Sequence, residues 1–105
     1  MSKIIVSWTP YAKFSYFDEL DFIESKWTSK EVNAFIALVN GFIENLSCGI
    51  IQGKKYSPKN IHSLVISKQT TVFYRMHPDQ DLITLLLFWN NQKDSNMLKK
   101  TLQRI

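Results

Sequence analysis

The groups in this chain that could act on another molecule are few, and most are cations. Arg75 and His62 come first, because one hairpin can bring them together. If Lys68-Gln69 forms a two-residue turn, Ser67 pairs with Thr70 and His62 lies opposite Arg75. Leu64 then faces Phe73, and Ile66 faces Thr71. Opposed side chains stand roughly 4.5–5.5 Å apart at Cβ, so His62 and Arg75 can share one anionic ligand. A phosphate fits, and so does a carboxylate, which suits the planar fork of Arg. The alternative is that Arg75 caps the sheet edge near His77-Pro78. Little other chemistry is present. Three glycines make no phosphate loop, and one Cys with two His at no ligand spacing makes no zinc site. Cys48 reads as a small buried hydrophobe, and His77, in a turn, as solvated. No metal and no cofactor is expected.

The stretch Ile61 to Asp94 positions those residues. Ile61 to Ser67 and Thr70 to Met76 are β-branched and aromatic, as strands are. His77 to Asp81 breaks the run, since Pro78 has no amide to donate, and Leu82 to Trp89 is apolar enough for a strand buried on both faces. Upstream, Lys3 to Trp8 predicts a strand that ends at Thr9-Pro10, a helix cap and first turn. Tyr16, Leu20, Ile23 and Trp27 recur at helical spacing from about Pro10 to Lys26, with Asp18, Asp21 and Glu24 on the polar side. Phe14 and Phe17 fall off that stripe and are expected to widen the buried face, the alternative being an exposed patch for a partner. Thr28 and Glu31 have capping-box spacing, and Val32, Phe35, Ile36, Val39, Ile43 and Leu46 follow as the next stripe. Gly41 inside it suggests close helix packing, and Gly49 a C-terminal cap. Residues 52 to 60 read as a loop. Asp94 or Ser95 caps a last helix with Leu98, Leu102 and Ile105 on one side.

The expected fold is α+β, in the order β-α-α-β-β-β-(α), with a two-helix hairpin on one face of a mainly antiparallel sheet. Its expected core holds Trp8, Leu20, Ile23, Phe35, Ile36, Val39, Val72 or Phe73, and Leu86. Which sheet face the helices cover turns on a parity that the sequence leaves open. A chain of 105 residues, 45% hydrophobic, is expected to be one domain over residues 1–105. A lone cysteine excludes an intrachain disulfide, and no signal or membrane-spanning run is visible, so a soluble cytoplasmic protein is expected. Residues 1–53 carry four Lys against six acids, a balance of −2, while residues 54–105 carry nine Lys/Arg against three, a balance of +6. The basic half suits an anionic partner, nucleic acid or an acidic peptide, although basic surfaces also serve solubility alone.

The order of elements, together with specific residues, resembles the RelE/ParE superfamily of bacterial toxins. The opening VSWTPYAKFSYFDELDFIESKW is similar to that family's start, with Pro10-x-Ala12-Lys13 and Phe22-Ile23 ahead of Trp27. VISKQTTVFYRM with LLLFWNNQKD resembles the ParE-like branch called plasmid stabilisation proteins, where a K-x-x-T-x-x-Y-R strand precedes one ending F-W-D-N-R-Q-D/N-P. This chain departs from it at His62, where Arg is common, at Asn90-Asn91-Gln92 in place of Asp-Asn-Arg, and at Ser95 in place of Pro. The resemblance implies the toxin of a type II toxin–antitoxin pair, bound by an acidic antitoxin, as a homodimer or a heterotetramer with that antitoxin. It makes His62, Lys68, Thr71, Arg75, Gln92 and Lys93 the binding candidates, with Arg75 and His62 the catalytic ones. A set of basic groups this thin fits inhibition of DNA gyrase by binding. The alternatives are a ribosome-dependent mRNA endoribonuclease and an inactive toxin.

Overall fold

A computed structural model describes residues 3–50, 53–57 and 60–104 of the chain. Strand β1 (Ile5–Trp8) stops where helix α1 (Pro10–Lys26) begins. Pro10 sits where a helix needs no amide, and the Thr9 hydroxyl accepts from the Ala12 amide at 3.0 Å. The same hydroxyl donates to the Leu85 carbonyl at 3.0 Å. One residue therefore ends β1, caps α1 and fastens both to the sheet. Helix α2 (Ser29–Ser47) opens with the expected capping box, in which the Glu31 carboxylate accepts from the Thr28 amide at 3.0 Å and from its hydroxyl. It ends at Gly49, whose φ of +84° is left-handed and suits the residue without a Cβ.

Strands β2 (Lys54–Ser57), β3 (Ile61–Val65), β4 (Thr70–His77) and β5 (Leu82–Asn90) complete a sheet of order β1-β5-β4-β3-β2. The β1–β5 pair is parallel and the others are antiparallel. β5 is thus flanked on both sides, which accounts for its apolar run. β2 corrects the expectation of a loop over 52 to 60, of which Gln52 and Pro58 lie outside the described residues. Its sequence is polar because it is an edge strand, where lysines are common. Gly53 precedes it at φ +108°, and a Cβ there would lie 2.4 Å from the Ser63 carbonyl oxygen.

The helix hairpin covers one sheet face, as expected. Ala12, Ile23, Phe35, Val39, Phe42 and Leu46 meet Val72 and Tyr74 of β4 and Ile83, Leu85 and Phe88 of β5. The opposite face carries a second core of Ile61, Phe73, Leu86, Leu87 and Trp89, closed by Leu98 and Leu102 of helix α3 (Ser95–Arg104). Val72 and Phe73 are therefore both buried, one on each face. A bulge opposite Phe73 and Tyr74 leaves Leu86 unmatched on β5, and Leu86 packs in the α3 core rather than under the hairpin. Asp94 Oδ1 accepts from the Asn96 amide at 2.9 Å and starts α3, while Ile105 lies outside the described residues.

Both helices are rotated from the expected stripes. α1 buries Ala12, Ser15, Glu19 and Ile23, with Tyr16 and Leu20 half-buried and Trp27 exposed. Two polar residues face the core because each has a partner there. Ser15 Oγ accepts from the Phe88 amide at 2.9 Å, beyond the point where β1 has ended beside β5, and Glu19 accepts from the Thr70 hydroxyl. α2 buries Phe35, Val39, Phe42 and Leu46, which leaves Ile36 half-buried on the flank. Phe14 and Phe17 are 71% and 58% exposed, so they do not widen the core. Cys48 is exposed rather than buried. Gly41 lies on the outer side of α2, where a Cβ would meet nothing within 4 Å, so none of the described residues packs closely against it. Among the described residues no helix is long and apolar enough to cross a membrane.

Candidate functional site

The β3–β4 hairpin decides which side chains can act together, and its register differs from the expected one. Ile61 pairs with Arg75, His62 with Tyr74, Ser63 with Phe73, Leu64 with Val72 and Val65 with Thr71. The Ile66 amide donates to the Thr70 carbonyl at 3.0 Å, so Ser67, Lys68 and Gln69 together make the loop. A two-residue turn of the favoured kind needs left-handed backbone. Among the described residues positive φ occurs at Asn60, Asp81, Gly49 and Gly53, none of them in this loop. The longer loop shifts every pair by one.

His62 and Arg75 therefore project from opposite faces and cannot share a ligand. His62 lies on the helix-covered side, its ring stacked on Tyr74 at 5.5 Å and its Nδ1 at 3.2 Å from the Asn60 carbonyl oxygen. Tyr74 is fully buried, and that burial pushes its hydroxyl pKa up. Arg75 lies on the α3 side, between Ile61 of β3 and Thr84 of β5. It is in the interior of the sheet and does not cap an edge.

The residue that joins Arg75 is His77. Two positions along β4 they share a face, roughly 6.6 Å apart along the strand. His77 is half-buried rather than merely solvated, with Nε2 3.1 Å from Thr84 Oγ1. The Ser7 hydroxyl donates to that same oxygen at 3.3 Å. Ser7, Thr84 and His77 form a polar line across β1, β5 and β4, ending beside Arg75. This half of the face is not part of the apolar cluster that α3 closes. Toward β2, Tyr56 meets Phe73 edge-on at 5.1 Å, and Lys54 pairs with Ser63. The arrangement offers one guanidinium, one imidazole and hydroxyls to an anion lying on the sheet. Same-strand alternation would have revealed His77, because it does not depend on the turn.

The remaining candidates gather elsewhere. Thr71 lies four residues from Arg75 along β4, about 13 Å away. Its hydroxyl donates to Asn91 Oδ1 at 2.7 Å, and the Asn91 amide group donates to the Lys68 carbonyl at 3.4 Å. The Gln92 backbone amide donates to Asn90 Oδ1 at 2.9 Å, and Lys93 Nζ sits 5.5 Å from the centre of the Trp89 ring. Lys68, Thr71, Gln92 and Lys93 thus form a hydrogen-bonded sheet end, separate from Arg75. No group of three or more His, Cys, Asp or Glu among the described residues could hold a metal ion.

No protein-family model matches the sequence, and no curated protein matches it either. Solved structures do match the fold. A chain of the chromosomal ParDE toxin–antitoxin system of P. aeruginosa superposes with a TM-score of 0.67 at 11% identity, over 83% of this chain and 95% of that one. A chain of the RelBE2 toxin–antitoxin complex of Mycobacterium tuberculosis gives 0.57 at 16% identity, over 89% and 97%. A metal-bound toxin from Helicobacter pylori gives 0.58 at 9% identity, over 84% and 94%. The chain has the RelE/ParE-type toxin fold.

Proposed function

We propose that this chain is the toxin of a type II toxin–antitoxin pair, held by an acidic antitoxin segment and acting by binding its target, DNA gyrase. One observation carries the choice of binding over cleavage: the sequence's cationic candidates do not converge on one point. His62 faces away from Arg75, and Lys68 and Lys93 sit at the far end of the sheet. Cutting a phosphodiester needs a base, an acid and charge stabilisation around one phosphorus. A binding surface has no such requirement, and the RelE/ParE-type fold supports the toxin reading. Expression of the chain alone tests it. Growth arrest with a DNA-damage response and intact mRNA is the expected outcome, and Arg75→Ala should relieve the arrest without moving Tm by more than a few degrees.

A second reading, an mRNA endoribonuclease, is favoured by the shared face of Arg75 and His77. There Arg75 would hold the phosphate, and His77, oriented by Thr84, would move a proton. Transcripts cut in the expressing cells, and protected by His77→Ala, would establish that reading and displace the first.

A further inference from the structure

Ser7 and Thr84 carry no charge, yet their hydroxyls govern where His77 keeps its proton. Arg75 faces Thr84 across the β4–β5 ladder, Thr84 faces Ser7 across the β5–β1 ladder, and His77 lies diagonal to Thr84. The Ser7 hydroxyl donates to Thr84 Oγ1 at 3.3 Å, and Thr84 Oγ1 lies 3.1 Å from His77 Nε2. Thr84 therefore has its own proton left for Nε2. With Nε2 accepting, the neutral ring carries its proton on Nδ1, which has no hydrogen-bond partner among the described residues. His62 is the contrast. Its Nδ1 lies 3.2 Å from the Asn60 carbonyl oxygen, which can only accept, so that ring keeps a proton on Nδ1 whatever its charge. A hydroxyl, which both accepts and donates, imposes no such limit on His77.

We propose that Thr84 and Ser7 are positioning residues, which hold the His77 ring in one place through a complete change of protonation state. When His77 takes a second proton on Nε2, the line reverses. Nε2–H donates to Thr84 Oγ1, the Thr84 hydroxyl turns to Ser7 Oγ, and the Ser7 hydroxyl turns to solvent. Only hydroxyl rotors move. The imidazolium can then pass its Nδ1 proton to an oxygen of a ligand held by Arg75, and still keep Nε2–H on Thr84. One proton enters at Nε2 and one leaves at Nδ1, so the ring is a shuttle rather than a fixed donor. The charged groups near it are Arg75 on its own strand and Asp79 and Asp81, both exposed, in the turn that follows. Among the described residues, β5 and β1 bring to this side of the ring Leu82, Thr84, Ile5 and Ser7, none of them charged. The transfer step rests on the second reading above, in which Arg75 holds a phosphate; the positioning of the ring does not.

Nitrogen NMR of the isotope-labelled full chain reads the ring directly, with circular dichroism to check each variant's fold. At about pH 8, above the range in which imidazoles gain charge, His77 is expected as the Nδ1–H tautomer. Thr84→Val should give a mixture of the two tautomers, and Thr84→Ser should keep the wild-type form. Ser7→Ala, the milder change, should shift the mixture in the same direction by less. His62 should stay Nδ1–H in every variant. At about pH 5 the contacts between the ring and the Thr84 methyl group should be unchanged in wild type. Dimethyl phosphate, a diester whose single charge is constant over this range, probes the ligand. Its binding should tighten roughly ten-fold from the higher pH to the lower in wild type, and about three-fold in Thr84→Val. A neutral His77 protonated on Nε2, a tautomer indifferent to both Thr84→Val and Ser7→Ala, or a ring that leaves Thr84 in acid overturns the proposal. Dimethyl phosphate that fails to bind, while the tautomers behave as expected, removes the phosphate reading and upholds the positioning.

Discussion

Ser15 and Glu19 occupy core-facing positions of α1, and each fixes the helix to a different strand. Ser15 Oγ donates to the Ala12 carbonyl at 3.1 Å while accepting the Phe88 amide, so it satisfies a β5 donor that β1 does not reach. Ser15→Ala leaves that amide buried and unpaired, and should cost about 1–3 kcal/mol in urea denaturation. Glu19 is 3% exposed, and the Thr70 hydroxyl is its hydrogen-bond donor. Thr70→Val removes a hydrogen bond to a buried acid and should cost about 1.5–3 kcal/mol by the same measurement. Glu31 differs because it is fully exposed. Hydrogen bonds from the Thr28 side chain, and then from backbone amides, hold its carboxyl below its ordinary pKa. A pKa lowered by folding gives stability that is present above the ordinary carboxylate range and lost as pH falls through the folded value. Glu31→Gln should therefore be less stable than wild type at neutral pH, and the gap in Tm should close in acid.

At the scale of elements, the phase of α2 decides which side chains matter. Phe42 is buried against Tyr74, their ring centres 5.8 Å apart, so Phe42→Ala should cost about 3–5 kcal/mol. Ile36 is half-buried on the flank, and Ile36→Ala should cost about 1 kcal/mol or less. Gly41→Ala should stabilise the fold by about 0.5–1 kcal/mol, since the new methyl meets none of the described residues and the helix gains from it. What the sequence revealed was local. Thr9-Pro10, Thr28 with Glu31, and Gly49 carry their signals within a few residues, and the helix boundaries followed from them. What it concealed depended on distant partners. Glu19 reads as polar surface until Thr70 is beside it, and Lys54-Lys55 reads as loop until β3 supplies a neighbour. The hairpin register turned on one residue of loop, and that residue separated His62 from Arg75. His77 was legible from its place on the same strand as Arg75, but its position before Pro78 suggested a solvated turn.

For the whole molecule, charge and topology set behaviour that no single element determines. The cationic balance lies in residues 54–105, on the sheet and α3, while the acids cluster on α1 and α2. The acidic antitoxin proposed above should be drawn to the basic side, and raising salt should slow its association more than it speeds its release. Stopped-flow binding across a salt series checks this, and an association rate indifferent to salt would remove charge steering from the account. The parallel pairing of β1 with β5 has another consequence. Ile5 finds its partner at Leu82, 77 residues later, so β1 waits for β5 as the chain is made. Until β5 emerges, α1 and α2 have no sheet centre to cover, and neither the β4–β5 surface nor its Arg75–His77 row exists. A nascent chain halted before Leu82 should be open to protease throughout and should lack the toxicity proposed above. A chain interrupted there holds no assembled sheet, and the activity proposed above waits until β5 has been made.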